Sequence, residues 1–182
     1  TSWHLDALHA YLERGLASSP MPTLHTQFAA LFAKVAAHAP LSQLPDADVV
    51  LHLADMDVAC HSLFLRRSPM LQSALDWHHA RGASGPVEVD MHHWTWPVVR
   101  VGLMYLYTDA DVALFQHTDE DKSPDQFIDF ILDVLQLADE LLLTRLQLIS
   151  LTFLAPRVHP TNLAALLTLS LIHISEPTRQ AE

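Results

Sequence analysis

The sequence predicts an α+β domain, a small sheet of three to four strands capped by a cluster of α-helices. Three observations carry that expectation. DVVLHLAD (Asp48–Asp55) and PVEVDM (Pro86–Met91) alternate with period two, as half-buried strands do. The stretches around them repeat their apolar residues at helical spacing instead. Half of the 182 residues are hydrophobic, enough for one sizeable core.

Taken in order, WHLDALHAYLERGL (residues 3–16) sets Trp3, Leu5, Leu8, Leu12 and Leu16 near helical spacing, and SSPMP (Ser18–Pro22) ends that helix. LHTQFAALFAKVAA follows, with Leu24, Phe28, Leu31, Phe32 and Val35 on one stripe, and PLSQLPDA (Pro40–Ala47) links it onward. The strand DVVLHLAD then pairs with MDVACH through a tight polar turn at Asp55-Met56-Asp57. SLFLRRSPMLQSALDWHHA reads as a helix in two pieces, broken at Ser68-Pro69, where proline suits a first turn. After the loop GASGP (Gly82–Pro86) comes the third strand, with Val87, Val89 and Met91 alternating with acids. WPVVRVGLMYLYTD is a helix opened by Pro97, DVALF (Asp111–Phe115) a short fourth strand, and QHTDEDKSPD (Gln116–Asp125) an acidic loop.

From Gln126 the chain is expected to stay helical. Phe127, Ile131, Val134, Leu135, Ala138, Leu142 and Leu146 share a face, with a break near Leu143-Thr144. PRVHP (Pro156–Pro160) turns the chain, and TNLAALL starts a further helix capped by Thr161 or Asn162. Leu169–Arg179, LSLIHISEPTR, reads as the translation of a transposase sequencing adapter, so residues 169–182 are expected to be an adapter-derived tail without a part in the fold. Thr1 in place of methionine suggests a piece of a longer protein.

Composition narrows the function. Ten Lys+Arg against 21 Asp+Glu leave a net charge of −11 and no basic stripe to follow a phosphate backbone, so nucleic acid is not an expected partner. No apolar run reaches the ~20 residues of a membrane span. The first 20 residues hold no basic segment leading into an apolar one. With a single cysteine, no internal disulfide can form, which suits a reducing compartment, the cytoplasm or the nucleus.

Three places in the sequence bear on reactive chemistry. Cys60 and His61 are neighbours on a strand, where consecutive side chains point to opposite faces, so they make a poor nucleophile and base. Thirteen histidines include the adjacent pairs His78-His79 and His92-His93, which cannot share a helix face, and His4 and His9 stand five apart. Asp125, Asp129 and Asp133 recur every four residues, the spacing of a solvated helix face. No catalytic residue, metal site or cofactor is expected.

The order DVVLHLADMDVACHSLFLRRSPMLQSAL, VEVDM, a helix ending MYLYTD, then VLQLADELLLTRL resembles the BTB/POZ family, over roughly residues 46–155. The resemblance implies a BTB/POZ fold and a protein–protein interaction domain rather than an enzyme. Its signature positions fall on Asp48, His61, Ser68, Tyr107 and Asp139, with His61 a structural residue at the hairpin-to-helix corner. It further implies self-association as a homodimer and binding to the N-terminal domain of a cullin, as substrate adaptor of a RING ubiquitin ligase. The substrate would be taken by domains outside this chain. Residues 1–45 would then be an N-terminal helical segment and residues 156–168 the start of a helical extension. The stripe Leu24, Phe28, Leu31, Phe32 and Val35 is either a dimer face or a cap on the chain's own core. A cullin face would fall at Val99, Arg100, Thr108 and Asp109, although Val99-Arg100-Val101 lacks the glutamate that some cullin-binding members carry. Ser62 also stands where the family usually has Lys or Arg. YLYTD, the acidic loop and LADELLLTRL are similar to the paired BTB domains of inhibitor-of-Bruton-kinase-like proteins. The other reading is a BTB scaffold or transcriptional regulator that binds no cullin.

Overall fold

The computed structural model describes residues 24–82, 85–115 and 123–157. The expected helix at 3–16, the tip of the GASGP loop, most of the acidic loop and everything after Arg157 lie outside those residues. The described chain runs α1 (Leu24–Ala36), β1 (Val49–Leu53), β2 (Asp57–Cys60), α2 (Ser62–Leu65), α3 (Pro69–Ala80), β3 (Val87–Met91), α4 (Trp96–Thr108), α5 (Pro124–Glu140) and α6 (Thr144–Leu154). Three short 3-10 turns fill the gaps. The α+β class and the small helix-capped sheet stand as the sequence predicts.

The sheet has three strands in the order β2-β1-β3. β1 and β2 form the antiparallel hairpin, with Val49 opposite Cys60 and His52 opposite Asp57. The turn is Ala54–Met56 and Asp57 already belongs to β2, so the expected polar turn lies one residue too far along the chain. β3 returns parallel to β1 after the crossover through α2 and α3, with Val49 beside Val87 and Leu53 beside Met91. Alternation does the sorting. Val49, Leu51, Leu53, Val58, Cys60, Val87, Val89 and Met91 are buried on one face, while His52, Asp57, Glu88 and Asp90 stay outward.

Several helices start where the chain supplies a partner for free N–H groups. Ser68 Oγ accepts from Leu71 N at 3.2 Å, and Pro69 follows at the first turn of α3. At α4 the Asp55 carboxylate takes that role from a distance, accepting from Trp96 N at 3.0 Å. Ser123 and Gln126 form a reciprocal capping box at α5, so this helix begins at Pro124, ahead of the expected Gln126. α4 runs through the centre with nine buried residues. Each large apolar side chain among them contributes roughly 1.5–3 kcal/mol by leaving water. Gly102 lets α5 come close, since a Cβ there would meet Leu137 Cδ2 at 3.1 Å.

Two expectations fail for local reasons. DVALF forms a 3-10 turn at Val112–Leu114 rather than a fourth strand, because Leu114 N donates back to Asp111 O at 3.2 Å and no strand lies alongside. Leu142 is 58% exposed with φ at 56°, not on the buried face. α5 has stopped at Glu140, and Leu143 N reaches back to Ala138 O at 2.7 Å. The expected break is real, but it starts two residues early and turns Leu142 out.

Candidate functional site

The stretch VACHSLFLRRSP is a corner where β2 becomes α2. His61 is buried there and closes a network across three segments. Its Nε2 lies 3.0 Å from Pro45 O; a carbonyl only accepts, so this nitrogen carries the hydrogen. The Tyr107 hydroxyl then donates to His61 Nδ1 at 2.8 Å and accepts from His61 N at 3.0 Å. The linker before β1, the end of β2 and the end of α4 are thereby tied together. Asp48 caps the short helix beyond, accepting from Ser62 N at 2.7 Å and Ser62 Oγ at 2.6 Å. Ser62 serves as the partner of that carboxylate through both its backbone N–H and its hydroxyl.

The two remaining signature residues tie other joints. Ser68 is fully buried and its hydroxyl donates to Leu141 O at 2.7 Å, fastening the start of α3 to the end of α5. Asp139 accepts from Gln147 Nε2 at 2.7 Å across the α5–α6 break. All five residues do architectural work, at three separate joints.

Cys60 packs in the core beside Tyr107. Burial pushes its thiol far above the ordinary range, against a smaller opposite pull from a hydrogen bond with Tyr107. Burial and the adjacent Cys60 push the Tyr107 phenol up as well. The thiolate is the reactive form of cysteine, so this environment makes Cys60 a small hydrophobe. Among the described residues no group of three histidine, cysteine or carboxylate side chains could hold a metal ion. The paired histidines go elsewhere: His79 Nδ1 to Leu75 O, His92 Nδ1 to Asp90, and His93 Nε2 to Glu140.

Above the corner lies an open groove of about 490 Å³ between α1, α2 and the end of α4. The half-buried Phe28 and the buried Phe64 and Tyr107 give it an apolar floor. Phe64 stacks on Tyr107 at 4.1 Å, and Phe28 meets Phe64 edge-on at 4.9 Å. Leu63 lines it and is 70% exposed, an apolar side chain left in water. His25, Arg67, Thr108 and Asp109 complete it. Asp109 sits left-handed at the end of α4, where its carboxylate bridges Arg67 at 2.7 Å and Arg145 at 2.8 Å. Its partial burial works to raise its pKa, but the two arginines outweigh that and hold the carboxyl below the usual carboxylate range. Arg67 also donates to Leu106 O at 2.6 Å, satisfying a free carbonyl at the helix end.

The structure divides both proposed faces. Along the α1 stripe, Phe32 and Val35 are buried against the chain's own core and Phe28 and Leu31 are half-buried. Leu24 is 67% exposed. Of the cullin-face residues, Val99 is only 2% exposed and points into the core, so it offers a partner nothing in this fold. Thr108 is buried with its hydroxyl donating to Met104 O at 2.6 Å. Only Arg100 and Asp109 reach the surface, about 13 Å apart along α4. Sequence reading overlooked Leu63, Arg67 and Arg145. An apolar residue two places after the corner histidine, and two arginines whose partner Asp109 is 42 and 36 residues away in sequence, gave no periodic signal that would mark them.

No protein-family profile matches the chain, and no curated protein matches it. Among solved structures it is similar to the BTB (Tramtrack and Bric a brac) domain of human gigaxonin. Identity is 20%, the match covers 70% of this chain and 89% of that one, and the TM-score is 0.46. A likeness this distant assigns no function, which has to be argued from the residues. None of the described helices is long and apolar enough to cross a membrane.

Proposed function

We propose that this chain is a BTB/POZ-type interaction domain that self-associates and binds a cullin N-terminal domain as substrate adaptor of a cullin-RING ubiquitin ligase. One observation carries the reading: an apolar groove, rigidly floored by stacked rings, lies open beside the exposed Leu63 and next to the helix that bears the exposed Leu24. Contiguous apolar surface of this kind marks a contact site rather than a reaction site. The signature residues support the family: Asp48, His61 and Tyr107 brace the wall of that groove, while Ser68 and Asp139 brace the helices behind it. Self-association would use the outer part of the α1 stripe, Leu24, Phe28 and Leu31. On α4 and just past its end, Arg100 and Asp109 are the exposed residues of that face left to meet a cullin. Similarity to the paired domains of inhibitor-of-Bruton-kinase-like proteins would put a second such domain elsewhere in the parent protein.

Calorimetric titration of the chain with a cullin N-terminal domain tests the adaptor role. Binding at micromolar Kd or tighter, about −8 kcal/mol, is expected. A folded, self-associating protein that gives no heat and no complex would instead be a scaffold that recruits partners without a cullin. The missing glutamate near Arg100 is the observation favouring that second reading.

A further inference from the structure

We propose that the open edge of β3 takes up an extended basic segment of another protein as a fourth strand of the sheet. β3 has one neighbour, β1, and ends the order β2-β1-β3. The hydrogen-bond phase is set at its start, where Val87 N donates to Asp48 O at 2.8 Å. In the parallel register that follows, Val87, Val89 and Met91 direct their backbone groups at β1, so Glu88 and Asp90 turn theirs to the outside. Among the described residues, none bonds the backbone N–H or C=O of either. Open edges are ordinarily blunted by proline, lysine or a bulge. β3 has none of these, and VEVDM pairs with β1 at every position without a gap. Its guard is acidic. Glu88 and Asp90 are exposed on the outward face. Asp90 bonds the His92 ring through Oδ1 at 2.6 Å, and that bond holds its carboxyl below the usual carboxylate range.

What this edge rejects indicates what it accepts. A second β3 laid antiparallel about Val89 would set Glu88 opposite Asp90 twice, and a parallel one would set each acid against its own copy. Like charges directly opposite destabilise a strand pair, whereas lysine or arginine at those positions stabilises it. The chain is poor in such residues, with ten Lys+Arg against 21 Asp+Glu, and none of its three strands carries one. The complementary strand therefore belongs to a different protein. The other edge suits it less well. β2 is four residues long and its single acid, Asp57, is already bonded to His52 at 2.8 Å. No residue of the β3 edge lines the groove of α1, α2 and α4, so the inference is independent of what that groove accepts.

The probe is the peptide Thr-Val-Lys-Val-Lys-Val-Thr, whose lysines repeat at the spacing of Glu88 and Asp90. Hydrogen exchange of the full chain, read by NMR, should find the Glu88 and Asp90 amides unprotected alone and slowed at least ~10-fold by saturating peptide. The peptide's lysine nitrogens face β3 in antiparallel pairing and its valine nitrogens do so in parallel pairing. Methylating one of those two sets should weaken binding at least ~10-fold, and methylating the other should not. Glu88→Lys should lose this peptide and gain its counterpart with glutamate in place of lysine, while β1 and α4 amides keep their protection. Glu88→Gln gives the same loss without the gain, should the new lysine disturb the strand. No binding by the parent chain overturns the proposal. Equal binding of both methylated peptides overturns it as well, since attraction to a chain of net charge −11 would then suffice. So does protection of the Glu88 and Asp90 amides before any peptide is added, and if dilution removes that protection the occupant is a second copy.

Discussion

A buried phenol needs partners for its hydrogen and its oxygen, and Tyr107 finds both on one residue. Its hydroxyl donates to the His61 ring and accepts from the His61 backbone, 46 residues earlier in the chain. Tyr107→Phe keeps the ring stacked on Phe64 but leaves a buried N–H and a ring nitrogen without partners. That should cost ~1–3 kcal/mol, seen as a lower denaturant midpoint at unchanged slope. His61→Ala should cost at least as much, because it also frees Pro45 O. An unchanged midpoint in both variants would mean that the corner is held by packing alone. At this scale the sequence was legible where a residue had one job. His61 was read as structural, and its contacts with Pro45 O and Tyr107 suit that reading. Val99 and Thr108 were misplaced, since an apolar or hydroxyl side chain on a central helix carries no mark of which side faces water.

Between elements, α4 comes close to α5 at Gly102. The Leu137 methyl already stands 3.1 Å from where a Cβ would be, and Leu137 is fully buried. Gly102→Leu should force the two helices apart and destabilise by ~1–3 kcal/mol or more, measurable as a fall in Tm. A Tm equal to the parent's would show that this seam can yield. The elements themselves were largely readable, because caps and periodicity are local. Ser68-Pro69 announced a helix start, and Val87, Val89 and Met91 announced a strand. DVALF was misread because its five residues have strand composition but no neighbouring edge to pair with, a fact of tertiary structure. The groove was unreadable for the same reason. Phe28, Phe64 and Tyr107 meet only after three helices have assembled.

For the molecule as a whole, Asp109 links the end of α2's neighbourhood, the end of α4 and the start of α6 through Arg67 and Arg145. Its carboxyl titrates lower in the folded chain than in the unfolded one, so the linkage has a definite sign. The stabilisation is complete above the unfolded value, ~3.9, and is lost as pH falls through the lower folded value. Both pairs are about half exposed, where water screens an ion pair, so the effect is small but directional. Urea unfolding at a series of pH values should show Asp109→Asn less stable than the parent at neutral pH, with the gap closing as pH falls through the folded-state titration of Asp109. A constant gap across the range would mean that Asp109 acts through its left-handed backbone rather than its charge.

The mixed sheet also gives the chain an order of assembly. β1 and β2 are joined by a turn and can pair early, at small cost in loop closure. β3 reaches its place beside β1 only once α2 and α3 have carried the chain back, and non-local pairing of that kind is slow. The groove is walled by α1, α2 and α4, the last of which follows β3 directly. A nascent chain therefore has no complete contact surface until its third strand has docked, and a polypeptide interrupted between Arg81 and Val87 would lack both β3 and the α4 wall of the groove.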